Sequence, residues 1–232
     1  MSAHTTETYK GWTIEIHLDD DGESPREWDN LGTMACWHRR SSLGDVKETN
    51  RYSPIEWMIH ELIYNYENKI PYPKDGYCED WLCEDDERVY KMWDKFYVML
   101  PIHAYEHSGI TISSSGRHAG WDSFDSGQLG FIYVSKEKCM KEWKVKRWTK
   151  KFEEKILSIL EGEIKTYDQY LTGDVHGYMI YRPDDEDCDK CVDSCWGFYG
   201  EKDCMDEAKS AVDANIEYDE EQEKKFNSCM SL

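Results

Sequence analysis

Three groups of side chains in this sequence are of types that can do chemistry. The first is the pair His103-x-x-x-His107, followed after a Ser- and Gly-rich run by Asp122, Ser123, Asp125, Ser126 and Gly127. Two imidazoles and a carboxylate can hold a divalent metal that activates water, which would make His103, His107 and Asp122 the centre of a metal-dependent hydrolase. The spacing matches a helical zinc pair, but Pro101 precedes it and strand residues surround it. In a strand, positions four apart share a face yet lie about 13 Å from each other. There is also no GxSxG elbow and no phosphate-binding loop. The structural reading is that His107 and Ser108 close a turn, while Trp121, Asp122, Asp125, Ser126 and Gly127 knit a long loop through bonds to the backbone. No catalytic residue is assigned, and an enzyme is not expected.

The second group is Cys188-x-x-Cys191 with Cys195 and Cys204. Thiolates at such spacing can share a tetrahedral zinc. One CxxC without a matching second pair is a thin signal, and Cys195 and Cys204 fall where buried structural cysteines are expected. No metal or cofactor is expected.

The third group is charge itself. The chain has 48 Asp and Glu against 28 Lys and Arg, a net charge of −20. Its acids cluster at Asp19, Asp20, Asp21 and Glu23, at Glu79, Asp80, Glu84, Asp85, Asp86 and Glu87, and at Asp184, Asp185, Glu186 and Asp187. Direct nucleic-acid binding feeds on phosphate neutralisation and is not expected of such a surface. A partner protein with a basic groove is, because its field would speed association. From Lys136 to Lys155 the sign inverts, with nine Lys and Arg against four Glu. That stretch reads as a basic helix, either a solvated face, a phosphate-contacting patch or a docking surface.

The elements that must position these groups follow from periodicity. Residues 9–18 alternate as an opening strand, with Thr33–His38 as its hairpin partner. Ser53-Pro54-Ile55-Glu56 is a capping box with Pro at the first helical position, and apolar residues at helical spacing carry the helix over 54–67. Asp85 or Asp86 caps a helix to Phe96 that passes into a strand at 97–105. A second strand spans 128–134, and a long helical region ends at Thr172-Gly173. A hairpin pairs 174–181 with 195–199, and a final helix covers 202–217 with Ala208, Ala211, Val212 and Ile216 inward. This is an α+β chain, mostly antiparallel sheet with several packed amphipathic helices, read as a single domain over 1–220 with a frayed acidic tail over 221–232.

Composition limits the setting. Aromatic residues make up 14% of the chain, which gives it the means to build a core. The N-terminus lacks an export signal and no run is apolar enough to span a bilayer, so a cytoplasmic protein without membrane contact is expected. Nine cysteines in such a chain read as free thiols.

Several blocks together resemble a family of uncharacterised proteins carried by bacteriophages and by integrative or conjugative elements. They are SPREWDNLGTMACWHRR (24–40), HAYEHSGITIS (103–113), WDSFDSGQLGFIYVSKE (121–137), KTYDQYLTGDVHGYMI (165–180) and DSCWGFYG (193–200). In the family the central block runs more compactly, and Phe124-Asp125-Ser126 looks like a short duplication. The Cys188-x-x-Cys191 pair lies outside the family pattern, whereas Cys195, Trp196 and Gly197 match it. The resemblance implies no activity. Carriage on mobile elements implies an accessory role, such as an anti-CRISPR or anti-restriction protein that binds and inhibits a nucleic-acid-targeting complex of the host cell, with acidic DNA mimicry as the mechanism. A scaffold for phage replication is the other non-enzymatic role it implies.

Overall fold

The structure is a computed structural model and describes residues 3–38, 40–46, 51–106, 109–115, 126–183 and 190–230. The strands are antiparallel and the helices amphipathic, the α+β class expected. Instead of one sheet there are two of four strands each among the described residues. The chain divides into two compact units, one of residues 1–24 and 169–232 and one of residues 25–168. No helix among the described residues is long and apolar enough to cross a membrane.

The first unit begins with a hairpin of β1 (Thr5–Tyr9) and β2 (Trp12–Leu18). Lys10 and Gly11 join them with φ of 51° and 86°, the two left-handed residues of a type I′ turn. β2 therefore pairs with a neighbour that the sequence reading placed elsewhere: the segment from Thr33 belongs to the other sheet. β7 (Val175–Tyr181) and β8 (Asp193–Tyr199) complete the order β1-β2-β7-β8. Alternation sends Trp12, Ile14, Ile16, Tyr178 and Ile180 to one face, where Cys204, Ala208 and Val212 of α6 (Glu201–Met230) cover them. On the opposite face the Trp196 indole lies over Gly177, where any Cβ would come within 2.2 Å of the ring. α6 does not stop where its core pattern ends. It runs to Met230, although residues beyond Ile216 are mostly exposed, so residues 221–230 of the expected tail are helical.

The second unit has the sheet order β3-β6-β4-β5, made of β3 (Thr33–Cys36), β6 (Ser126–Ser135), β4 (Tyr97–Glu106) and β5 (Ile110–Ser113). β6 is central and buried on both faces, which is why LGFIYV is a continuous apolar run instead of an alternating one. Gly130 has to be glycine, because a Cβ there would lie 2.0 Å from the Ala35 carbonyl oxygen. Phe131 and Tyr133 face a core made with α1 (Pro54–Tyr66), α2 (Cys78–Cys83) and α3 (Asp86–Phe96). At its centre Trp93 is fully buried, its ring 6.0 Å from Trp57 and 4.3 Å from Tyr97. Both bonds of the capping box form: Glu56 N–H donates to Ser53 Oγ and Ser53 N–H to Glu56 Oε2. Asp85 caps α3 by accepting from the Glu87 N–H.

The basic stretch is two helices, not one. α4 (Lys136–Glu142) is capped by Ser135, and Lys144 then turns left-handed with φ 53°. α5 (Lys150–Thr172) restarts after Thr149, whose hydroxyl accepts from Phe152 N–H. α5 buries Ile156, Leu160, Ile164 and Tyr167, and the boundary between the two units falls inside it. Glu163 of α5 meets Arg26 in a buried ion cluster. The guanidinium bonds Asp45 at 2.6 and 3.0 Å, Glu163 at 3.0 Å and the Gly32 carbonyl at 2.8 Å. Glu163 in turn accepts from the Leu31 and Gly32 N–H groups, and Asp45 from Met34 N–H. With each partner satisfied, the cluster pins the loop before β3 to α5; losing one member would leave an uncompensated buried charge.

Candidate functional site

The acidic side chains divide unevenly between the units. Residues 1–24 and 169–232 contain 23 Asp and Glu against 7 Lys and Arg, a net −16 of the chain's −20. Much of this lies on α6, whose thirty residues include ten acids and four lysines. Asp203, Glu207 and Glu217 are exposed there. This surface does not show in the sequence as a run of consecutive acids, because a helix spreads its acids along the chain.

The expected clusters are placed as follows. Asp20, Asp21 and Glu23 are exposed in the turn after β2, and Asp19 is half-buried, its carboxylate accepting from Asp21 N–H at 3.2 Å. Glu79, Asp80, Glu84, Asp85, Asp86 and Glu87 are all exposed, on α2, on the Glu84-Asp85 link and on the first turn of α3. Arg88 lies beside them, its guanidinium 4.3 Å from the Trp81 ring centre and within ion-pair distance of Glu84 and Asp85. Asp184, Asp185, Glu186 and Asp187 lie outside the described residues, as do Cys188, His107, Ser108, Trp121, Asp122 and Asp125. Ser126 and Gly127 open β6 opposite Tyr105 and Ala104. His103 is half-buried on β4, opposite Ser113.

Of the remaining cysteines, Cys191 is half-buried and its thiol donates to the Asp193 carbonyl, Cys195 is exposed on β8, and Cys204 is buried on α6. Burial pushes the Cys204 thiol up to about 12, away from the thiolate that a metal needs. Among the described residues no three His, Cys, Asp or Glu side chains are grouped to hold a metal ion.

A site that the sequence reading missed is a cleft of about 160 Å³ in the second unit, around Glu61 of α1. Glu61 lies beside the buried Met58–Leu62 stripe. Its Oε1 accepts from Asn65 Nδ2 at 3.0 Å, one helical turn on, and from the Tyr97 hydroxyl at 3.4 Å. Tyr66, Tyr97 and Tyr133 line the cleft with it. Their rings are already engaged by other aromatics: Tyr66 stacks on Phe96 at 4.2 Å, Tyr97 on Trp93 at 4.3 Å, and Tyr133 meets Trp57 edge-on at 5.2 Å. Their hydroxyls are bonded as well, Tyr66 to Ser135, Tyr97 to Glu61 and Asn65, and Tyr133 to Thr33, which leaves each with acceptor capacity only. Burial holds the Glu61 carboxyl above the usual carboxylate range. Burial, reinforced by the Glu61 charge, raises Tyr97 and Tyr133 so that both stay protonated. Glu61 has no ion-pair partner among the described cations, since Lys138 at the rim donates to the Asn30 and Leu31 carbonyls instead. A Glu and an Asn four apart on one helix face were visible in the sequence. Tyr97 and Tyr133 come from strands tens of residues away and were not.

No protein-family model, no curated protein and no solved structure matches the chain.

Proposed function

We propose that the protein is an inhibitor from a phage or mobile element that docks its acidic surface against the basic nucleic-acid groove of a host defence effector. The observation that carries this reading is the concentration of −16 of the −20 charges in one unit. A charge so segregated attracts a basic surface from a distance, whereas the same charge spread evenly chiefly confers solubility. The resemblance of the sequence blocks to a family on mobile elements supports the same role.

Magnitudes sharpen the mode of docking. At about 1.5 Å per residue, α6 is roughly 45 Å long. Ten acids less four lysines give it about one net charge per ~7.5 Å of axis, against one per ~1.7 Å of duplex DNA. The helix therefore acts as a counter-charge for a basic groove and does not copy phosphate spacing. Purified protein immobilised in host lysate is expected to capture a nuclease or another nucleic-acid-binding defence effector, and added DNA or RNA should displace it. The variant Asp203→Lys, Glu207→Lys, Glu217→Lys should capture it poorly. Equal capture by that variant, or capture of no such effector, would sink the proposal.

A further inference from the structure

We propose that the Glu61 cleft is a receptor for one guanidinium group, that of an arginine side chain presented by the partner. The inference deepens the reading above by naming a specific contact within the charge attraction.

Four observations lead to it. First, a volume of about 160 Å³ falls below the 300–1,000 Å³ typical of sites for whole drug-sized molecules or cofactors, so only a terminal group enters. Second, the polar groups lining the space are mostly oxygens. They include the Glu61 carboxylate, whose Oε1 alone receives bonds from Asn65 and Tyr97, and the hydroxyls of Tyr66, Tyr97 and Tyr133. Those hydroxyls already bond Ser135, Asn65 and Thr33 respectively but keep an acceptor lone pair each, while the Lys138 ammonium at the rim is taken by the Asn30 and Leu31 carbonyls. Such a set calls for a donor-rich ligand. Third, the carboxylate has no ion-pair partner among the described residues, and a half-buried charge without a counter-ion gains more from one than an exposed charge does. Fourth, each of the three tyrosine rings is already engaged by an aromatic neighbour, Trp57, Trp93 or Phe96, which disfavours a sugar or base that needs a ring to stack on. An ammonium has three donors around a point, whereas a guanidinium has five in a planar fork, the better match to acceptors arriving from a helix and two strands.

The test uses the whole protein and a small probe, so it does not depend on finding the partner. Isotope-labelled protein is titrated with Nα-acetyl-arginine amide, with its lysine counterpart, and with the neutral citrulline isostere, while amide and side-chain resonances are followed by NMR. The arginine probe should shift Asn65 and Tyr97 in a saturable way, with the citrulline probe inert and the lysine probe weaker. Glu61→Gln should weaken the arginine probe about tenfold or more, the scale of a lost hydrogen bond to a charged group. Tyr133→Phe, which removes one acceptor and keeps the ring, should weaken it by less. Failure of arginine to shift these residues in the folded wild type would overturn the proposal, as would unchanged binding in Glu61→Gln, or lysine binding as tightly as arginine. The triple lysine variant of α6 should keep the arginine response. Loss of effector capture by the triple variant with the arginine response intact separates the acidic surface from the cleft, and effector capture unchanged by Glu61→Gln refutes the cleft alone.

Discussion

Glu61 is a carboxylate that the fold tolerates at a cost. Its folded-state affinity for a proton is raised by burial, ahead of the opposing bonds from Tyr97 and Asn65. The folded state therefore binds more protons than the unfolded chain above the ordinary value of 4.5, and stability falls as pH rises from there through the raised value. Glu61→Gln keeps the shape and the Asn65 contact while removing the charge. It should be more stable than wild type at neutral pH and lose part of the wild-type decline in stability between mildly acidic and neutral pH. Denaturant titrations at several pH values check this; an identical pH profile would show that the carboxylate titrates normally. The Arg26 cluster makes the contrast, because there each carboxylate oxygen facing the core has a donor. Asp45 and Glu163 are fully answered, whereas Glu61 is left with an acceptor to spare.

Single elements show which local rules decided the fold. The capping box at Ser53 gives two reciprocal bonds to α1, and the Glu56 carboxylate is held below its usual range mainly by the Ser53 N–H. Ser53→Ala should cost about 1 kcal/mol, the usual worth of an N-cap hydroxyl. The Glu56 contribution, whose folded pKa is lowered, is present above the ordinary carboxylate value and lost as pH falls. Thermal melts of wild type and Glu56→Gln, which removes the charge, at neutral and acid pH should accordingly converge at the acid end. This helix was legible because every signal for it lies within four residues. So were α3 with β4 and the apolar run of β6, whose caps and patterns are local. The β1–β2 hairpin was not, since Lys10 supplies a left-handed residue where Asn or Asp would have announced the turn. The break after α4 escaped for a similar reason: no Gly or Pro marks it, and Lys144 again takes a positive φ. Beyond Ile216, α6 has no core pattern to read. It continues because extending a helix that is already nucleated costs little, and Glu220–Lys224 and Glu221–Lys225 pairs one turn apart assist it. The cleft was illegible for a different reason, namely that Tyr97 and Tyr133 meet Glu61 only through strand register.

At the scale of the whole molecule, the uneven charge makes two salt effects of opposite sign. The first unit must hold a net −16 together by itself, with the ion pairs Lys10–Asp213, Lys209–Glu7 and Arg182–Asp219 offsetting a small part. These pairs are solvent-exposed and individually weak. Repulsion among the remaining acids acts over a Debye length, which shrinks from about 30 Å at 0.01 M salt to about 3 Å at 1 M. Raising salt over that range should slow hydrogen exchange at Ile14, Ile16, Tyr178 and Ile180 more than at Val89, Trp93 and Phe131. Equal changes in both sets would show that self-repulsion does not set the stability of the first unit. Docking on a basic partner should respond the other way, weakening as salt rises, because the attraction is screened over the same distance. A fold that tightens with salt while its complex loosens is the signature of charge held in reserve for a partner, and ordinary acidic solubility predicts only the first half.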